Sequence, residues 1–221
     1  MDDAIEPSAT NATDAAARWS ENLRLLASSG VERHYRAGTI LIHEGDTGQS
    51  LFIIKEGLVK AFVAGPNGRD LTLGTYGPDE YVGEMSLDGG PRSASIITVE
   101  PTICSIIERP ALLSHIRNHP EFALAMMMRL IARARLATES AGGLALLDVY
   151  GRVRALLDRE ATPSPDGTRR IDTRLTHQEI ASRVGASREM VSKILKDLAR
   201  GGYINIEKKQ ICLLKPLPQG W

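Results

Sequence analysis

The sequence predicts an α+β fold in three parts: a β-rich first half, a long helix, and a small helical unit that closes on a hairpin. Three observations carry this expectation. Between residues 33 and 110, short β-branched runs are punctuated by glycines from Gly38 to Gly83. From Glu121 to Leu147 proline is absent, glycine returns only at Gly142 and Gly143, and the apolar period becomes helical. The chain balances 27 basic against 27 acidic residues, yet from Asp148 onward 14 basic residues face 9 acidic ones. That leaves a basic C-terminal part suited to a polyanion and an acidic N-terminal part with another task.

Residues 1 to 14, rich in Ala, Thr, Asp and Asn, read as a tail. Ala15 to Ser29 reads as a short helix with Trp19, Leu23 and Leu26 on one face, stopped by Gly30. Six strand-like runs follow: Thr39–Ile42, Leu51–Ile54, Leu58–Val63, Leu71–Leu73, Ser95–Val99 and Ile103–Ile107. Many short strands at this spacing imply a sandwich or a jelly-roll barrel. Pro66-Asn67-Gly68 reads as a hairpin turn, because Asn-Gly supplies the positive φ angles a tight turn needs.

In the long helix, Met127, Leu130, Ala134, Ala137, Ala141 and Leu144 recur at alternating steps of three and four, a heptad seam. Small alanines in mid-seam suit two such helices approaching closely, although a helix buried within one chain would match the same template. Phe122, Met126 and Leu136 lie off the seam and are expected to pack on the β part. The boundaries expected are 1–30 for the tail and short helix, 31–120 for the β domain, 121–147 for the dimer helix and 148–221 for the last domain.

Within that last domain, Tyr150 to Arg159 looks helical and Thr162 to Gly167 reads as a loop. Thr176-His-Gln-Glu179 fits a capping box, Ile180, Ala181 and Val184 form a buried face, and Gly185 ends the helix. Ser187 caps a second helix whose apolar stripe is Val191, Ile194, Leu195 and Leu198. Strands at Tyr203–Ile206 and Ile211–Leu214 complete a winged helix-turn-helix pattern, followed by an extended tail at Lys215–Pro218. Away from its apolar stripe the second helix offers Arg188, Glu189, Ser192, Lys193 and Lys196. Arginine can grip guanine with two parallel donors, glutamate can accept from cytosine, and lysine serves guanine or phosphate. Together with the basic balance, this face predicts DNA reading over a merely solvated surface.

A second constellation lies in Val82-Gly-Glu-Met-Ser-Leu-Asp-Gly-Gly-Pro-Arg-Ser-Ala-Ser95. Its glycines permit a compact turn with converging amides. Arg92 is a two-pronged cation, Ser93 a hydroxyl, and Glu84 an acceptor suited to a sugar hydroxyl. As composition alone, the segment fits an anion site and a surface loop with an Arg92–Glu84 ion pair equally well. Other classes find little support. No nucleophile elbow, Walker loop or HExxH pattern occurs, and His115 and His119 stand at i, i+4 with Pro120 following. Two cysteines, Cys104 and Cys212, build neither a disulfide framework nor a four-thiolate site. The apolar run Ala123–Met128, broken by Arg129, is far short of a membrane span. No enzyme, no catalytic cofactor, no metal site and a cytoplasmic location are the expectations.

On these residues the chain resembles the cAMP receptor protein/FNR family of transcription regulators, over nearly all of residues 31–214. Gly83-Glu84-Met-Ser-Leu with Pro91-Arg92-Ser93-Ala94 resembles the family's phosphate-binding cassette. Leu144–Val149 resembles the hinge into the DNA-binding domain, and Thr176–Ile180 with Val184–Val191 the helix-turn-helix. The resemblance implies a cyclic-nucleotide-binding β jelly-roll and a homodimer through residues 121–147. It also implies a palindromic double-stranded DNA site and RNA polymerase as a partner. It places Gly83, Glu84, Met85, Arg92, Ser93 and Ala94 around the nucleotide, with Thr138 reaching the base. Arg188, Glu189 and Lys193 would read bases, and Thr176, His177, Gln178 and Ser187 would touch or position the DNA backbone. The effector implied is cAMP; cyclic di-GMP, which some members bind, and a ligand-independent regulator with the barrel as scaffold are the alternatives.

Departures from the family pattern are Ala137 where cAMP-responsive members carry a threonine, a shorter segment from Glu84 to Arg92, and Lys193 where arginine is common. The N-terminal cysteine cluster of oxygen-sensing members is also missing. His34 and His43 could in principle ligate haem, but solvated or packed histidines are the simpler reading.

Overall fold

The structure is a computed structural model that describes residues 9–65, 68–165, 167–173, 175–207 and 210–220, with backbone alone for 9–16. The chain divides into two compact units, residues 1–63 with 74–133 and residues 64–73 with 134–221.

The first unit opens with α1 (Ala9–Ser28), which starts six residues earlier than the expected Ala15. The expected tail contains Ala9 and Ala12 and runs straight into Ala15–Ala17, and alanine is the strongest helix former. Trp19, Leu23 and Leu26 are buried. Gly30 does more than stop this helix: an added Cβ would lie 2.3 Å from the Ser105 hydroxyl, so the chain passes too close for any side chain.

Eight strands follow: β1 (Val31–Tyr35), β2 (Ile40–Ile42), β3 (Leu51–Glu56), β4 (Val59–Ala64), β5 (Asp70–Tyr76), β6 (Glu80–Val82), β7 (Ser95–Thr98) and β8 (Thr102–Ile107). They form two four-stranded sheets, ordered β1-β8-β3-β6 and β2-β7-β4-β5. Of the sandwich and the jelly-roll barrel left open by the residues, the jelly-roll describes this pair of facing sheets. Two strands carry no signal in the sequence. β1 is a charged edge strand, a common way of blunting an open edge, and β6 has only three residues. The turn at Pro66-Asn67 lies outside the described residues; Gly68 beside it has φ 68°.

The run Leu51-Phe-Ile-Ile54 is buried on both faces. Phe52 and Ile54 join Ile42, Val59, Ala61, Val82, Ile96 and Cys104 between the sheets. Leu51 and Ile53, pointing the other way, join Trp19, Leu23, Leu26, Tyr81, Ile107, Leu112, Phe122 and Met126 beneath the helices. Each such side chain contributes about 1.5–3 kcal/mol on burial. Trp19 stacks on Phe122 at 5.2 Å and 5°, and its indole N–H donates to the Asp79 carbonyl at 3.0 Å.

Helix α2 (Arg109–Asn118), with Pro110 in its first turn, is a further element beyond those read from the sequence. α3 (Pro120–Leu146) carries Phe122 and Met126 buried in the first unit. Leu136, expected to share that burial, is instead 53% exposed, because its stretch of the helix lies past Arg133, where the first unit ends. On the seam, Met127 is 53% and Leu144 42% exposed, and Ala134, Ala137 and Ala141 are exposed too. Among the described residues Leu130 alone of the seam is half-buried, and the rest of the seam stands exposed.

The second unit holds α4 (Val149–Glu160), β9 (Thr162–Pro163), β10 (Arg169–Ile171), α5 (His177–Val184), α6 (Arg188–Arg200), β11 (Ile204–Glu207) and β12 (Gln210–Leu213). Its sheet runs β11-β12-β10-β9, so the expected two-stranded hairpin gains two partners. The loop read at 162–167 begins as strand β9, which with two residues is too short to show alternation. Leu156, Leu157, Ile180, Val184, Val191, Leu195 and Leu198 form the core. Among the described residues no helix is long and apolar enough to cross a membrane.

Candidate functional site

The anion constellation is built by the β6–β7 connection folding against the β2–β3 loop. Gly83 takes φ 92°, a left-handed conformation, and passes the chain into a single 3-10 turn at Glu84–Ser86. Ser86 is fully buried, and its hydroxyl donates to the Gly48 carbonyl at 2.6 Å, binding the two loops together. Main-chain bonds Gly45 N to Arg92 O and Arg92 N to Asp46 O, both 2.8 Å, continue the seam.

Arg92 is 7% exposed. Its Nη1 donates to Gly83 O at 2.7 Å, and its Nη2 to Ser50 O at 3.0 Å and Ser50 Oγ at 3.2 Å. An arginine has five N–H donors, so these three bonds leave capacity for an anion. Burial lowers its pKa, offset in part by Glu108, Glu84 and Asp46, and an arginine stays charged through any such shift. A cavity of about 170 Å³ opens beside it, walled by Leu41, Ile42, Asp46, Thr47, Gly48, Ser50 and Phe52. A charge-assisted bond to phosphate is stronger than one to a neutral carbonyl, so an anion entering there competes well for the guanidinium.

Glu84 does not pair with Arg92. Its carboxylate is 2.9 Å from Nη1 of Arg133, a residue of α3 that also donates to the Tyr81 carbonyl at 2.8 Å. The Arg133 guanidinium lies 4.4 Å from the Tyr76 ring centre and 4.6 Å from that of Tyr81. Burial pushes the Tyr81 hydroxyl up to about 12, against the pull of Arg133. Of the expected residues, Gly83, Glu84 and Arg92 converge. Met85 is 60% exposed, Ser93 is exposed and Ala94 half-buried. Thr138 stands on α3 five residues beyond Arg133 and in the second unit, with its hydroxyl donating back to Ala134 O at 3.0 Å. Arg133, Gly48 and Ser50 were not singled out by sequence reasoning. Arg133 reads as an ordinary helix charge, and Gly48 and Ser50 sit in a polar loop.

The histidines considered for other roles are placed elsewhere. His34 lies exposed on β1 with Nε2 3.3 Å from Glu32, and His43 is exposed. The rings of His115 and His119 lie 4.7 Å apart, tilted by 33° to each other.

In the second unit the capping box forms as spelled: Glu179 N donates to Thr176 Oγ1 at 3.1 Å, and Thr176 N donates to the Glu179 carboxylate. Gly185 ends α5 at φ 63°, and Ser187 caps α6 by accepting from Met190 N at 3.2 Å. Arg152 of α4 donates to Val184 O and to Leu147 O, each at 2.7 Å, locking the end of α5 to the chain entering α4. Arg188, Glu189, Lys193 and Lys196 are exposed on one side of α6 while Val191, Ile194, Leu195 and Leu198 are buried on the other. The Glu189 carboxyl is held below its usual range by its own main-chain amide and by Ser187, with Arg188 and Arg69 adding positive charge nearby. Gln178, Ser187, Arg188 and Glu189 share a cleft of about 270 Å³ with Gly68, Arg69 and Asp70. His177 meets Ser192 across the two helices at 2.8 Å. Such a face can present cations, an acid and amide groups to a polyanion with readable edges.

Two family models match the chain: a cyclic nucleotide-binding domain at residues 32–119 and a Crp-like helix-turn-helix domain at residues 151–216. A CRP-like cAMP-activated global transcriptional regulator of Mycobacterium tuberculosis is 36% identical over 180 residues, 80% of this chain and 80% of that protein. The cyclic AMP receptor protein of Thermus thermophilus is 32% identical over 210 residues, 90% of this chain and 94% of that protein. Among solved structures, the c-di-GMP responsive global regulator CLP of Xanthomonas campestris matches with a TM-score of 0.76 at 25% identity, covering 89% of this chain and 99% of that one.

Proposed function

The chain belongs to the Crp-like family of transcription regulators, which join a cyclic nucleotide-binding domain to a helix-turn-helix, and from that premise we propose that it is a homodimeric DNA-binding regulator gated by cAMP. The observation that carries the reading is the buried Arg92 guanidinium, with donors to spare, at the edge of a cavity, while Glu84 on the same connection is held by Arg133. The cyclic phosphate takes Arg92, with Ser93 and the amides around Ala94 beside it, and Gly83 and Glu84 take the ribose hydroxyl. Thr138 serves the base. The protein binds and switches; it carries out no catalysis.

The gating follows from the Glu84–Arg133 pair. A ribose hydroxyl donating to Glu84 changes the electrostatics felt by Arg133, which is fixed to α3 between two aromatic rings. The helix is continuous from there to Leu146, and Asp148 caps α4 two residues later. A ligand that interacts differently with two packings of the paired α3 helices shifts their populations. Two-fold symmetry then sets two reading helices about 34 Å apart on a palindromic site. Arg188, Glu189 and Lys193 read base edges there, while Thr176, His177, Gln178 and Ser187 engage the backbone. RNA polymerase is the partner such a regulator addresses.

The test is titration of cAMP, cGMP and cyclic di-GMP while measuring affinity for palindromic duplexes selected from a random pool. A rise in affinity with cAMP, lost in Arg92→Leu, supports the reading. A rise with cyclic di-GMP alone transfers the proposal to that ligand. Unchanged affinity with all three makes the barrel a dimer scaffold and overturns the gating.

A further inference from the structure

One pair in the DNA-facing unit joins the two helices of the helix-turn-helix through side chains. His177 is the first residue of α5, Ser192 lies in α6, and Nδ1 of His177 is 2.8 Å from Oγ of Ser192. Ser192 follows Arg188 by four residues and precedes Lys196 by four, so it stands on the same stripe of α6 as both. Both members of the pair are half-buried.

A serine inside a helix commonly turns its hydroxyl back to the carbonyl four residues earlier. Ser192 does not; among the described residues its hydroxyl partner is the imidazole. A hydroxyl has one proton to give. When that proton goes to Nδ1, the neutral ring must carry its own on Nε2. Among the described residues Nε2 has no hydrogen-bond partner. Nor is it a buried atom without a partner, a state that among the described residues belongs to His115 Nε2 alone. Nε2 is therefore open to solvent. A phosphate oxygen only accepts hydrogen bonds, so a neutral imidazole can serve it only through an N–H.

We infer that Ser192 is a positioning residue: by donating to Nδ1 it holds His177 in the tautomer whose Nε2–H serves a DNA phosphate, and so ties the backbone anchor at the start of α5 to the base-reading side of α6. The inference rests on the reading above, that this unit binds duplex DNA. It assigns Ser192 an effect on affinity that is independent of sequence, since phosphate contacts position a protein without selecting bases.

The experiment uses the full-length protein with 15N-labelled histidine, with and without cAMP. In the free protein, long-range 1H–15N spectra should show His177 Nδ1 without a proton and Nε2 with one. In Ser192→Ala that tautomer preference relaxes, and affinity for the selected palindrome and for an unrelated duplex falls by the same factor, about three- to tenfold, the effect of one lost hydrogen bond. Ser192→Thr, which keeps the hydroxyl, should restore both readouts, while Arg188→Ala should weaken the palindrome selectively. A proton found on Nδ1 in the unaltered protein, or a Ser192→Ala loss confined to the palindrome, overturns the inference. So does a Ser192→Ala variant that keeps full affinity. Failure of the unaltered protein to bind any duplex overturns instead the functional reading beneath it, which the tautomer measurement on the free protein keeps distinct.

Discussion

At Gly83 two demands coincide. The backbone takes φ 92°, and a Cβ there would lie 2.8 Å from Nη1 of Arg92 and 2.9 Å from the Ser50 carbonyl. Gly83→Ala should therefore lower stability by about 1–2 kcal/mol, the cost of left-handed backbone for an L-residue. By displacing the guanidinium it should also weaken nucleotide binding about tenfold, as about 1.4 kcal/mol of lost interaction would. Gly48→Ala is the contrast: its Cβ would meet only the end of the Arg92 side chain, at 3.2 Å, so a smaller loss is expected. Thermal melts and calorimetry with cAMP measure both. The sequence offers Gly83, Glu84 and Arg92 as candidates through their residue types, although composition alone fits a surface loop equally well. Arg133 stays hidden, because one arginine among Arg129, Arg133 and Arg135 looks like any other until Tyr76 and Tyr81 close around it.

Among elements, those that carry their own punctuation are the legible ones. The Thr176–Glu179 capping box, Gly185 and the Ser187 cap bound α5 and α6 in the sequence where the structure bounds them, because each satisfies free amides or carbonyls locally. α2 and β1 had no such marks and depend on neighbours: α2 packs Leu112 into the core under the sheet, and β1 pairs along β8. In α3 the glycines at 142 and 143 are a local weakness of a helix otherwise rich in good helix formers. A Cβ at either would meet nothing within 4 Å. Gly142→Ala and Gly143→Ala should each raise helix stability by about 0.5–1 kcal/mol, read as higher helicity and a later thermal transition. A loss of stability on either change would show that the small side chain is needed against a partner.

The whole molecule exposes more apolar helix than a lone chain needs to. Leu124, Met127, Met128 and Ile131 stand open on the first half of α3, with the alanine seam continuing beyond them. Large exposed patches of this kind mark interfaces, and a heptad seam with alanines fits a second copy of the same helix. Met127→Glu places two like charges across a two-fold seam. It should shift the protein to monomer in sedimentation and cut affinity for the palindrome by more than tenfold, since both half-sites are then no longer bound at once. A Met127→Glu protein that sediments as a dimer would falsify the seam. The charge division is also a whole-chain property: the basic surplus gathers after residue 148, where the helix-turn-helix lies.

By itself the sequence determined the α+β class and the order of barrel, long helix and winged helix-turn-helix. Those follow from local chemistry: periodicity, caps, glycine turns and side-chain type act within a few residues of each other. Only the tertiary structure decided that Glu84 pairs with Arg133 and not with Arg92, that Arg92 rests on the carbonyls of Gly83 and Ser50, and that Ser192 meets His177. The partners in these contacts lie between 9 and 49 residues apart along the chain. Each was settled by packing that brings distant segments within hydrogen-bond range, and no spacing rule along the chain encodes that.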